Sequence, residues 1–110
     1  MNADTSLAAL RLAEEQACGR YLAARKAQIR LGARVGSLAQ LVAEQPKRAD
    51  YRDARDRAIE AHGDAVQRTR LAYLAWQRAQ MRADAMWTAT EGRTPIAQPT
   101  ADGVADGRVA

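Results

Sequence analysis

Apolar side chains recur every three or four residues along two long stretches of this chain, with polar positions between them. This spacing is typical of helices that each bury one face. It predicts one helix over residues about 4–45 and a second over about 50–91. The predicted helix-packing seam consists of Leu10, Tyr21, Leu31, Leu38, Tyr51, Trp76 and Trp87. Alanine fills most of the remaining seam positions of the second helix.

A short segment around Pro46 separates the two predicted helices. Proline disfavours helix at the preceding residue, and Asp50 is of a type that caps helix N-termini. A turn over about 46–49 between two seams of similar length predicts an all-α, antiparallel two-helix hairpin that is coiled-coil-like, with an Ala-rich seam. In that register Tyr21 lies near Tyr73 and Trp76.

Two other arrangements stay open from the sequence. Because no glycine marks the end of the first helix, a single long helix kinked at Pro46 is one alternative. A three-helix arrangement with a break between Gly32 and Gly36 is the other. The same two glycines, spaced four residues apart, also permit close approach of another helix.

Helical signals stop at Gly92, and Pro95 follows shortly after. Residues 92–110 contain a short duplication built on two Asp-Gly pairs, which favour turns. We therefore expect a helical hairpin over 1–91 and an irregular tail over 92–110 that is flexible or lies extended on a partner.

The composition favours slender helices rather than a thick core of large side chains. Alanine supplies 26 of the 110 residues, whereas Leu, Ile, Val and Phe together supply 17. So few large side chains argue against a sandwich, a barrel or a doubly wound sheet.

Both predicted helices carry large apolar side chains outside the seam. At 100° per residue they fall on stripes that a single neighbouring helix cannot cover. This candidate partner interface consists of Leu22, Ile29, Leu71, Leu74 and Met81. Exposed apolar patches usually mark interaction surfaces, so we expect a homo-oligomer or a helical protein partner.

Charge adds a second candidate surface. The chain has a net charge of +4, and no acidic residue occurs between Glu15 and Glu44. In this interval Lys26, Arg30 and Arg34 share one helix face at a spacing of four residues. A face of this kind is solvated, or binds an acidic protein or nucleic acid. Nucleic acid is the weaker interpretation, because no recognition motif accompanies the face.

Candidate catalytic chemistry is sparse. His62 and Cys18 are single copies of their residue types, and Glu60 and Asp64 do not project from the same helical face as His62. A zinc site or a nucleophilic pair needs several such groups converging. We therefore expect no catalytic or metal-ligating residue and no cofactor.

Together these features predict a non-enzymatic structural or assembly protein that acts through helix–helix packing, for example a component of a phage particle or a secretion apparatus. The alternative is a small nucleic-acid-associated protein that uses the basic face of the first helix. Residues 1–10 lack the pattern of a signal peptide, and no apolar stretch approaches the roughly 20 residues of a membrane span. We expect a cytoplasmic protein, or one incorporated into an assembly built in the cytoplasm.

Overall fold

Two α-helices and the turn between them make up residues 3–91, the part of the chain that this computed structural model describes. Helix α1 spans Ala3–Glu44 and helix α2 spans Ala49–Glu91. No strand occurs within those residues. The predicted all-α helical hairpin is confirmed, whereas the tail predicted over 92–110 lies outside the described residues.

The chain divides into two compact units. The turn unit, Glu15–Gln77, contains the connection between the helices and is by itself an antiparallel helical hairpin. The terminal unit joins the beginning of α1 to the end of α2, and its described residues are 3–14 and 78–91. Within the terminal unit, a guanidinium nitrogen of Arg11 lies 3.1 Å from a carboxylate oxygen of Asp84.

Helix α1 is continuous through both of its central glycines, so the three-helix alternative is wrong. The single kinked helix is wrong as well, because residues 45–48 form a turn. The Gln45 N–H donates the last helical bond of α1 to the Leu41 carbonyl at 2.9 Å. The Arg48 N–H then donates to the Gln45 carbonyl at 3.1 Å, which closes the turn around Pro46.

Helix α2 begins one residue before the predicted position. The Arg52 N–H donates to the Arg48 carbonyl at 3.2 Å, so Arg48 occupies the N-cap position that we expected for Asp50. Asp50 lies inside the first turn of the helix. A carboxylate there is still favourable, because the N–H groups of the first turn have no helical acceptor.

Alanine forms most of the core. The apolar side chains buried in the turn unit are Ala17, Leu38, Ala58 and Ala65, and those buried in the terminal unit are Ala79 and Ala83. Among the described residues, no large side chain is less than 2% exposed. Because stabilisation by burial grows with the apolar area removed from water, this core stabilises each unit weakly.

Three aromatic rings supply the bulk that alanine lacks in the turn unit. Tyr21 on α1 stacks on Trp76 of α2, with ring centroids 5.5 Å apart and an interplanar angle of 24°. The Tyr73 ring lies 5.4 Å from that of Tyr21 and 6.1 Å from that of Trp76. The predicted proximity of Tyr21 to both α2 rings is confirmed. Arg25 donates a hydrogen bond to the Tyr21 hydroxyl at 3.2 Å, and Gln77 donates one to the Tyr73 hydroxyl at 3.1 Å.

Candidate functional site

The predicted seam residues all lie at partly or fully sheltered positions. Leu38 is buried. The half-buried members are Leu10, Tyr21, Leu31, Tyr51, Trp76 and Trp87. Half-burial of large side chains is expected in a pair of helices, because a seam between two helices is open to solvent along both edges.

The residues of the candidate partner interface are all exposed. In the turn unit Leu22 is 56% exposed, Ile29 62%, Leu71 55% and Leu74 39%. In the terminal unit Met81 is 68% exposed. The described part of the chain therefore leaves these side chains largely open to solvent, and their contact with a partner stays a prediction.

Three further exposed apolar residues of the turn unit were missed by the sequence analysis. Ile59, Val66 and Tyr73 are 50%, 41% and 41% exposed. They recur every seven residues along α2, and Leu22 and Ile29 have the same spacing along α1. Positions seven apart lie on nearly the same face of a helix, so the sequence shows that each series shares a face, whereas the structure shows that this face is exposed.

These five residues lie on one side of the turn unit, which we call the apolar side: Leu22, Ile29, Ile59, Val66 and Tyr73. Each comes directly after a buried or half-buried position, namely Tyr21, Gln28, Ala58, Ala65 and Ala72. One residue further along a helix is a rotation of about 100° in a fixed sense. In an antiparallel pair of helices, a residue that directly follows a contact residue on one helix lies on the same side of the pair as a residue that directly follows a contact residue on the other helix. Both seven-residue series therefore face the same direction.

The Gly32 backbone and the His62 ring meet at the edge of the apolar side. A Cβ built on Gly32 would lie 3.3 Å from His62 Nε2. No such atom lies within 4 Å of a Cβ built on Gly36. Of the two glycines considered for helix approach, only Gly32 therefore faces α2, and Gly36 leaves an open spot on the surface of α1.

The predicted basic face lies on a different part of α1. Lys26, Arg30 and Arg34 are exposed, and none forms an ion pair with another described residue. Arg34 also borders a hollow of about 230 Å³ together with Arg57 of α2. The other residues that line this hollow are Leu31, Ala54, Ala58 and Ala61. Two arginines from different helices thus flank a hollow lined by one leucine and three alanines, on the side away from Ile29.

Arg48 organises the turn between the helices. Its Nη2 lies 2.7 Å from Asp50 Oδ2 and its Nε lies 2.9 Å from Asp50 Oδ1, so the pair is bidentate. The guanidinium carbon also lies 4.0 Å above the centre of the Tyr51 ring. The hydrogen bond from Arg48 holds the pKa of Asp50 below its usual value. Arg52 donates a further hydrogen bond to the Pro46 carbonyl.

A hollow of about 410 Å³ lies at this turn. Its lining is the single tetrapeptide Gln45, Pro46, Lys47 and Arg48. We interpret it as the open concave face of the turn, because no side chain from elsewhere in the described residues closes it.

Groups that could perform chemistry do not converge. Within residues 3–91, no cluster of three or more His, Cys, Asp or Glu side chains is placed to hold a metal ion. The thiol of Cys18 is free and half-buried. Neither α1 nor α2 contains a segment apolar enough to pass through a bilayer. No protein-family model, curated protein or solved structure matches this chain.

Proposed function

We propose that this chain is a non-enzymatic structural or assembly protein that works by packing its helices against copies of itself or against another helical protein. One observation carries the proposal: seven large apolar side chains of the turn unit are 39–62% exposed, whereas its buried apolar residues are three alanines and Leu38. Such a distribution is the reverse of that in a self-sufficient small domain.

The energetic argument concerns what the hairpin gains from folding alone. Ordering the backbone costs about 1–2 kcal/mol per residue. Full burial of a large apolar side chain gains about 1.5–3 kcal/mol, and here seven such side chains of the turn unit remain 39–62% exposed. An isolated chain is therefore marginally stable, and a partner that binds only the folded state stabilises it.

The proposal includes the setting in which such a protein acts. A phage particle or a secretion apparatus is an example of a larger assembly in which such helix packing would act, and the proposal places the chain in the cytoplasm or in an assembly built there. The proposal assigns no catalytic role to His62, which packs beside Gly32, or to the half-buried Cys18.

Thermal unfolding of the full chain, followed by circular dichroism over a wide range of protein concentration, tests this proposal. At high dilution we expect unfolding below the usual range of about 45–65 °C for small domains. A compact monomer, shown by light scattering, that unfolds cooperatively above about 65 °C at every concentration would contradict the proposal.

The exposed basic face supports a second candidate function, association with nucleic acid. Lys26, Arg30 and Arg34 form no ion pair with a described residue, so they are available to phosphates. If three phosphate contacts are made, the affinity should fall as salt is added, with a slope of about −2.7 in a plot of log affinity against log salt concentration. A short DNA duplex, titrated at two salt concentrations, provides the measurement.

A matched pair of variants separates the two functions. Arg30→Glu with Arg34→Glu reverses the charge of the basic face, and Arg78→Glu with Arg82→Glu makes the same change in charge in the terminal unit. Loss of duplex binding in the first variant, with binding retained in the second, would establish the nucleic-acid function. Binding that both variants weaken equally would assign it to overall charge.

A further inference from the structure

We propose that the apolar side of the turn unit is the surface on which a second copy of this chain packs. This inference rests on the proposed assembly function and names both the surface and the partner. The surface consists of Leu22 and Ile29 on α1 and Ile59, Val66 and Tyr73 on α2, which are 41–62% exposed.

The two apolar series of this side stand at matching levels of the hairpin. Gly32 faces His62, and Tyr21 faces Tyr73, so these contacts fix the register of the two helices. In that register Leu22 stands beside Tyr73, Ile29 beside Val66, and Gly36 beside Ile59. The side is thus a ladder of three levels spaced seven residues apart, a repeat typical of helices that pack on other helices.

The exposed area suffices for a dimer. A half-exposed large apolar side chain presents roughly 100 Å², so the five residues present about 500 Å² per copy and about 1,000 Å² in two facing copies. About 1,000 Å² is the lower limit for a specific interface. The side-chain stems of neighbouring residues add to this area.

The shape of the ladder fits a second copy. A two-fold axis perpendicular to the helices, at the level of Ile29 and Val66, places the Leu22 level of one copy against the Gly36 level of the other. Leu22 then meets the open spot that Gly36 leaves, where no atom lies within 4 Å of a built Cβ. Ile29 and Val66 each meet their own counterparts, as in any isologous interface.

Charge argues against self-association through the opposite side. There Arg34 and Arg57 border one hollow, and Arg30 lies one helical turn before Arg34. Two copies joined through that side would bring these arginines together, and facing like charges disfavour association. Arg25 and Arg70 lie between the levels of the apolar side, and a two-fold axis at the level of Ile29 and Val66 keeps each of them away from its own counterpart.

The decisive experiment compares two double variants by sedimentation velocity and light scattering. Ile29→Asp with Val66→Asp places charges at the centre of the apolar side. The control, Leu71→Asp with Leu74→Asp, makes the same change at two exposed positions of α2 outside that side. We expect twice the 12.0 kDa chain mass for the unchanged protein and the control, and at least a tenfold weaker dimer for the first variant.

A cross-linking measurement keeps the inference testable if an aspartate variant fails to fold, which circular dichroism would reveal. In a Cys18→Ala background, Ile29→Cys should form a disulfide-linked dimer under mild oxidation, whereas Leu71→Cys should not. A monomeric unchanged chain, or a dimer insensitive to the Ile29 and Val66 changes, would overturn the inference. A monomer that is also unstable alone would contradict the dimer but remain consistent with assembly through a different partner. A stable monomer would contradict both the dimer and the proposed assembly function.

Discussion

His62 Nε2 lies 3.3 Å from the position of a Cβ on Gly32, which is closer than nearly all side-chain contacts of a Cβ. Gly19, on the same helix, has no such neighbour within 4 Å. Both glycines stand inside α1, where glycine is less favourable than alanine by about 1 kcal/mol. The contact with the imidazole ring therefore distinguishes two positions that are otherwise alike.

We predict that Gly19→Ala raises the free energy of unfolding by about 0.5–1 kcal/mol. Gly32→Ala should gain clearly less, because the His62 ring must shift to admit the methyl group. Urea unfolding of the two variants, followed by circular dichroism, provides the comparison. Equal stabilisation by both substitutions would show that the ring moves without cost.

The stacked rings of Tyr21 and Trp76 should contribute a measurable coupling energy between the helices. In a double-mutant cycle with Tyr21→Leu and Trp76→Leu, we expect the pair to be coupled by about 0.5–1.5 kcal/mol. A second cycle between Trp76→Leu and Leu38→Ala serves as the control, since these residues lie far apart and should behave additively. Additive effects in both cycles would mean that the rings act only as separate apolar groups.

The ion pair between Arg11 and Asp84 in the terminal unit should stabilise it only slightly. Both side chains are more than 40% exposed, and Arg11 also contacts Glu14 at 2.9 Å. Exposed pairs contribute about 0.2–1 kcal/mol, so Arg11→Gln should cost no more than this, and less at high salt. Arg20→Gln, which removes an exposed arginine without an ion pair to a described residue, is the matched control. A loss above about 2 kcal/mol, or one independent of salt, would contradict this assignment.

The turn should weaken in acid through Asp50. Its pKa in the folded chain is lowered, first by the hydrogen bond from Arg48. A group of this kind stabilises the fold above its unfolded pKa of about 3.9, and that contribution is lost as the pH falls through the lower, folded pKa.

Asp50→Asn should therefore reduce the urea midpoint at pH 7 and make little difference near pH 2. Asp53→Asn, which forms no ion pair with a described residue, should show a smaller change at pH 7. An Asp50→Asn effect of the same size at both pH values would show that the carboxylate charge is not responsible.

The helical hairpin could be read from the sequence because its signals are local. The three-to-four residue spacing and Pro46 are enough to place two helices and a turn, and the pairing of Tyr21 with Trp76 follows from the register of a short turn. The boundary at α2 could not be placed to the residue, because Ala49 and Asp50 both suit a first helical turn. The Arg48 carbonyl decides it by accepting the first helical bond.

The full apolar side was harder to predict because its residues can be assigned only when the line of contact between the two helices is known. Leu22 and Ile29 stand out on α1 because they fall on a stripe about 100° or more around the helix from the seam. Ile59 and Val66 directly follow buried alanines, and from the sequence they could equally belong to the seam. Only the observed contact line, which passes through Ala58 and Ala65, assigns them to the outside.

Because the interior of this fold is built mainly of alanine, its buried positions accept smaller residues more easily than larger ones. At Ala83, which is 0% exposed, a smaller residue removes a single methyl group, whereas every larger residue must push the backbones apart. Natural variation at such positions should therefore be limited to alanine and glycine. Meanwhile the outward positions can exchange one large apolar residue for another, so the lineage of this chain should preserve its narrow interior more strictly than its surface.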